Sequence, residues 1–123
     1  RVQAIIKLGG AAITVKSALE TPRPDVISQV AQHVQQALNN REQQGPLVVV
    51  HGAGSYGHPQ ATAHRVAHGP LSDPHVTHGF TITRASVLKL NSMVVDALIA
   101  AGVPAVGLPA FGSWTCSNRE VVE

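Results

Sequence analysis

Apolar residues follow two rhythms along this chain. Residues 2–6 (Val-Gln-Ala-Ile-Ile) and 47–50 (Leu-Val-Val-Val) are short, mostly apolar runs, each followed by glycine, as buried strands are. The second run is apolar on both of its faces, which suits a parallel sheet. From about Pro24 to Gln44, Ile27, Val30, Ala31, Val34 and Leu38 recur three and four apart, with Gln29, Gln32, Gln35 and Gln36 on the other sides. Pro24 and Asp25 suit a first turn, and Gly45-Pro46 a stop. A second helix is predicted from about Thr81 to Ala101 through Val87, Leu90, Val94, Ala97, Leu98 and Ala101, ended by Gly102-Val103-Pro104. Residues 105–108 (Ala-Val-Gly-Leu) make a third strand-like run. Residues 11–23 read as a loop, 57–66 as a short helix and 67–78 as irregular. The order β-loop-α-β-loop-α-β predicts a parallel sheet with right-handed crossovers and helices on its faces. Ligands on such sheets bind beyond the carboxyl ends of the strands.

The 123 residues suffice for one domain with one core, taken here as residues 1–123. Charged residues make up only 13% of the chain, and the nine Lys and Arg form no cluster. With one Trp, one Tyr and two Phe to stack bases, nucleic acid is not an expected partner. The single cysteine, Cys116, can form no internal disulfide and, without a Cys pair, points to no zinc site; it fits a reducing cytoplasm. No stretch reads as a membrane span or a leader, so no membrane partner is expected. The chain opens one residue before a strand and stops at Glu123 without a terminator, which reads as a piece of a longer protein.

Chemistry concentrates at the ends of the first two strands. Residues 51–58 read His-Gly-Ala-Gly-Ser-Tyr-Gly-His, directly behind the second strand and ahead of Pro59. Glycines bring bare backbone N–H groups close to an anion, and a following helix N-terminus adds partial positive charge. Lys7-Leu8-Gly9-Gly10 repeats the strand-then-glycine design with a lysine added. Phosphoryl transfer asks a protein chiefly for alignment and for neutralisation of spread negative charge. Two lysines, Lys7 and Lys16, and two amide-rich turns supply both.

Lys7-Leu8-Gly9-Gly10, Ile13-Thr14 with Lys16, and His51 to Pro59 together resemble the amino-acid kinase superfamily. Ser55-Tyr56-Gly57-His58-Pro59, the segment 78–84 leading into Leu90-Asn91, and Gly107-Leu108-Pro109 look like its isopentenyl phosphate kinase branch. The resemblance covers nearly the whole chain but only about the amino-terminal half of the family's usual length. It implies a three-layer α/β/α sandwich with a mainly parallel sheet, truncated here, whose amino half receives the acceptor. It further implies ATP, with Mg2+ accompanying the nucleotide, as phosphoryl donor to isopentenyl monophosphate, and a homodimer in the full-length protein. On this resemblance Lys7, Leu8, Gly9, Gly10 and Ala11 line the γ-phosphate, and Lys16 steadies transition-state charge. Ala53 and Gly54 offer N–H groups to the acceptor phosphate and the ATP tail, and His58 binds the acceptor phosphate. A histidine suits an acceptor that is already anionic, because no strong base is required. Phe80, Ile82 and the Val87/Leu90/Val94 face are candidates for an apolar tail pocket. Ala11 replaces the family's usual Ser, which removes a hydroxyl but keeps the backbone contacts. The nucleotide half is absent, so this chain alone is expected to be inactive. Two other readings stand beside it: a non-catalytic module binding phosphate or isoprenyl phosphate, and a family kinase with a carboxylate or nucleotide acceptor.

Several residues have plainer readings. His51 reads as a satisfied structural histidine. Ser55 has the look of a hydrolase nucleophile, but position 53 is Ala where that frame needs Gly. His64, His68, His75 and His78 have metal-like spacings yet few carboxylates nearby, and read as surface loop histidines. Arg84 and Lys89 read as solvated, and Met93 as core.

Overall fold

The computed structural model describes residues 2–40, 45–117 and 120–122. Strand β1 (Ala4–Leu8) lies parallel to β2 (Leu47–His51), in a register pairing Ala4 with Leu47, Lys7 with Val50 and Leu8 with His51. The pleat sends alternate side chains to opposite faces. Ile6, Leu8 and Leu47 pack against the core, whereas Ile5, Lys7, Val48 and Val50 point outward and are exposed.

The core fills the space between this inner sheet face and two helices. Helix α2 (Pro24–Asn39) contributes Ile27, Ala31 and Val34; helix α4 (Pro74–Ala100) contributes Leu90, Val94 and Leu98. Ile13, Tyr56 and Val103 complete the cluster, and Leu90 is wholly enclosed. Apolar positions three and four apart put a single stripe of each helix against the other, as the periodicity predicts. Helix α2 closes at the C-cap Asn40, short of the expected Gln44, and residues 41–44 lie outside the described residues.

Four features differ from the expectation. Residues 10–13, read as loop, form a one-turn helix α1 (Gly10–Ile13): the Gly9 carbonyl accepts from the Ala12 and Ile13 amides at 2.9 and 3.3 Å. Ala11 and Ala12 favour the turn, and the β-branched residues that follow end it. Helix α4 begins at Pro74, seven residues before the expected Thr81, because Asp73 caps it, accepting from the His75 amide at 2.8 Å with proline at the first position. His75 and His78 are therefore helical rather than loop residues. The third apolar run, 105–108, is extended but joins no ladder among the described residues. Its neighbours Pro104 and Pro109 lack the N–H that a ladder needs. Val103 and Ala105 still turn toward the core, while Val106 and Leu108 are 84% and 86% exposed. A small antiparallel pair, β3 (Cys116–Ser117) with β4 (Glu120–Val121), was not expected. Among the described residues the helices cover one face of the sheet, so two layers of the expected sandwich are present. The short helix expected at 57–66 is α3 (His58–Ala63).

Candidate active site

Because β1 and β2 run in parallel and in step, the turns that follow them leave the same sheet edge side by side. The Gly52 amide donates to the Leu8 carbonyl at 2.9 Å, prolonging the ladder into the turn. Beyond it the two backbones touch. A Cβ on Gly10 would stand 2.7 Å from the Gly54 Cα and nearer still to the Gly54 nitrogen. Gly54 has φ of +51°, a left-handed conformation that disfavours side chains, and it opens a 3₁₀ turn (Gly54–Tyr56) leading to α3.

Buried polar side chains tie these turns together. The Thr14 hydroxyl donates to the Gly10 carbonyl at 2.7 Å and accepts from the Ser55 amide at 3.1 Å. Ser55 is also enclosed; its oxygen accepts from the Thr21 amide at 3.3 Å, and its carbonyl accepts from the Glu20 amide at 3.1 Å. Those contacts hold the 14–21 loop, which carries Lys16, against the second turn. Enclosure and backbone bonding also remove Ser55 as a nucleophile.

His51 is satisfied at both ring nitrogens. Nδ1 lies 3.1 Å from the Gly52 carbonyl and must carry the proton there; Nε2 lies 3.0 Å from the Asn91 amide nitrogen and accepts from it. This is the structural role expected of it, and Asn91 is the partner that sequence reasoning had not assigned.

Of the expected site residues, the structure gathers Leu8, Gly9, Gly10 and Gly54 into one backbone cluster. Ala53 precedes Gly54, and His58 is the exposed first residue of α3, in the same segment. Ala11 is exposed on α1, Lys16 is exposed in the loop after it, and Lys7 is exposed on the outward face of β1. Phe80 and Ile82 lie farther up α4. The Phe80 ring packs on Phe111 at 5.2 Å, over which Arg84 also sits at 4.3 Å, so Arg84 is engaged rather than solvated. Leu90 and Val94 do not line a tail pocket: both are core residues. Met93 is more open than expected, at 38% exposure, and its sulfur lies 3.6 Å from the Tyr56 hydroxyl.

Around this cluster, burial first and the Glu20 charge second push the Tyr56 phenol up from its ordinary pKa. The Glu20 carboxyl is held below its usual range by the Ser86 hydroxyl and then by Lys89, whose ammonium lies 3.0 Å away. Lys89 is therefore paired as well as exposed. Ser86, buried on α4, accepts from Gln60 of α3 at 2.9 Å. The His64 ring lies 4.5 Å from that of His75 and 5.5 Å from that of His78, a packed trio rather than separate loop residues. Among the described residues no group of three or more His, Cys, Asp or Glu is placed to hold a metal, and no helix is long and apolar enough to cross a membrane.

Known proteins share this sequence and this backbone. The chain is 34% identical to isopentenyl phosphate kinase of Arabidopsis thaliana, over 98% of its own length and 46% of that protein. With isopentenyl phosphate kinase of Methanothermobacter thermautotrophicus it shares 37% identity over 85% of its length and 39% of that protein. A crystal structure of T. acidophilum isopentenyl phosphate kinase in a product complex superposes with a TM-score of 0.79 at 30% identity, covering 96% of this chain and 47% of the other. A substrate complex of isopentenyl phosphate kinase gives 0.77 at 32% identity, covering 97% and 46%. The chain thus spans less than half the length of these relatives. The sequence model of the amino acid kinase family matches residues 3–122, and with the paired glycine turns seated on parallel strands, the chain belongs to that family.

Proposed function

We propose that this chain is the acceptor-binding, amino-terminal part of a kinase that uses ATP to convert isopentenyl monophosphate into isopentenyl diphosphate for isoprenoid synthesis. The observation that carries this reading is the backbone contact of Gly10 with Gly54, which sets two amide-rich turns against each other at one sheet edge. Two phosphoryl groups that must react have to be brought into line at near contact distance, and adjoining cradles do that.

Gly10, Gly52 and Gly54 lack room for a Cβ because the turns close on each other, whereas the place of a Gly9 Cβ is open, which fits a phosphate approaching bare backbone there. Lys7, Leu8, Gly9, Gly10 and Ala11 would hold the γ-phosphoryl end of ATP, which with Mg2+ supplies the transferred group. Ala53 and Gly54 would offer amides to the acceptor phosphate, and His58 would donate a hydrogen bond or a charge to it. In the transfer an acceptor phosphate oxygen would bond to the γ-phosphorus as the bond from that phosphorus to the β,γ-bridging oxygen breaks, ADP leaving with that oxygen. An ionised acceptor needs no base, so His58 binds rather than deprotonates. Lys16 would follow the moving charge as a flexible point cation. Phe80 and Ile82 would lie toward the apolar tail, and a cytoplasmic homodimer is the setting this reading implies.

His58→Ala in the complete protein tests the assignment. A charge-assisted hydrogen bond to phosphate contributes about 1.5–3 kcal/mol, so kcat/KM for the monophosphate should fall roughly 10- to 100-fold while KM for ATP holds. Undiminished use of the monophosphate would refute the role of His58. Preference for a carboxylate or nucleotide acceptor in the unaltered protein would replace the substrate.

A further inference from the structure

Among the described residues, Thr14 lies at the one place where the two glycine turns are joined by a side chain. It is fully enclosed, at 0% exposure, and its hydroxyl uses both of its functions on backbone. It donates to the Gly10 carbonyl at 2.7 Å and accepts from the Ser55 amide at 3.1 Å, across 41 residues of sequence. Gly54 fits beneath it because a Cβ there would run into the Thr14 oxygen.

We propose that Thr14 is a positioning residue for phosphoryl transfer, its hydroxyl setting the separation and relative tilt of the two phosphate-binding turns. This rests on the function proposed above. A hydroxyl bonded to one turn and from the other resists their sliding apart, and neither bond can be exchanged for water in an enclosed site without cost. The contact also decides which amides remain for ligand. Ser55 N–H is spent on Thr14, Tyr56 N–H on the Ala53 carbonyl and Gly52 N–H on the Leu8 carbonyl, so none of these three is left to face an anion. The Thr14 hydroxyl, enclosed and bonded on both sides, is not free to bind a phosphate.

Thr14→Val keeps the shape and removes the hydroxyl, leaving the Ser55 amide unpaired; Thr14→Ser keeps the hydroxyl and removes a buried methyl. In the complete protein, with ATP and isopentenyl monophosphate, Thr14→Val should lower kcat by about 10- to 100-fold, the scale on which misplacement near 1 Å acts. KM for either substrate should move much less. Thr14→Ser should recover most of the turnover even where its thermal midpoint is the lower of the two. A merely structural threonine would make activity follow stability, so activity following the hydroxyl against the stability order supports positioning. Wild-type kcat in Thr14→Val, or equal losses in both variants, would overturn it. If Thr14→Val does not fold, amide hydrogen exchange on the unaltered protein decides the matter: Ser55 N–H should be strongly protected without ligand, and rapid exchange there overturns the proposal. An unaltered protein that fails to phosphorylate the monophosphate would sink the functional reading instead, and leaves Ser55 protection to judge the clasp.

Discussion

Alanine at position 10 should part the two turns and alanine at position 9 should leave them together, although the residues are neighbours in one Gly-Gly pair. Gly10 is the first residue of α1, where intrinsic propensity favours alanine over glycine by about 1 kcal/mol. Its Cβ, however, would lie 2.7 Å from the Gly54 Cα and nearer the Gly54 nitrogen, where ordinary contact begins at 3.4 Å. The atoms met are backbone, which has no rotamer to change, so the turns must part by roughly 1 Å. Such a displacement between reacting groups is worth about 100-fold in rate. A Cβ on Gly9 meets nothing within 4 Å, and Gly9 already has φ of −63°, open to any residue. In the complete protein, steady-state turnover of isopentenyl monophosphate should therefore fall about 100-fold for Gly10→Ala. Gly9→Ala leaves the spacing of the turns intact, and because Gly9 is proposed to line the γ-phosphate, its added methyl should act on KM for ATP rather than on turnover at saturating ATP. Denaturant melts run alongside separate a lost fold from a displaced turn. Full activity in Gly10→Ala would show that the contact between the turns does not govern alignment, and an equal fall in turnover at saturating ATP from both variants would show that flexibility of the pair, not spacing, is what matters.

Two further outcomes test the frame around the site. Leu90→Ala empties a wholly enclosed position between the two helices and should cost about 2–5 kcal/mol in denaturant unfolding, whereas a loss under 1 kcal/mol would contradict the assigned core. Lys89→Met removes the partner of Glu20; because the pair is 58% and 32% exposed, the loss at neutral pH should be under about 1 kcal/mol. The sign with pH is fixed by the lowered Glu20 pKa: its support is present above the unfolded value near 4.3 and fades as pH falls through the lower folded value. The two proteins should accordingly converge in thermal midpoint in acid, and a gap that widens there would refute the pairing.

How much of this was readable beforehand depended on how local the cause was. Helices α2 and α4 announce themselves because each stripe is written many times over, at spacings of three and four. The one-turn helix α1 is too short to repeat anything; Ala11 and Ala12 suit it, and the packing of Ile13 into the core holds it. The early start of α4 was in fact written, as Asp73-Pro74, but His75, Thr77 and His78 leave Val76 as the lone apolar residue of 75–78, too little to show the apolar rhythm used to find the helix. Residues 105–108 kept their strand alternation without becoming a ladder, since composition specifies which side faces the core and pairing needs a neighbour.

The site divides along the same line, and hydroxyls show where. The glycine turns were legible because the demand for backbone approach is met by one residue type, which makes it visible in a single sequence. The pairs Thr14–Ser55 and His51–Asn91 were not, since each joins residues about forty positions apart and nothing in either segment names its partner. Ala11 and Thr14 lie three residues apart, and both positions bear on how many hydroxyls stand near the phosphate site. At position 11, on the exposed side of α1, a hydroxyl could only add one contact to a ligand that, on the proposed function, backbone amides hold, so alanine is tolerable. At position 14 the hydroxyl is enclosed and carries bonds from two backbones, and its removal leaves a donor stranded. Residue type says that a group can hydrogen-bond; burial decides whether the fold depends on it, and burial is a property of the whole chain.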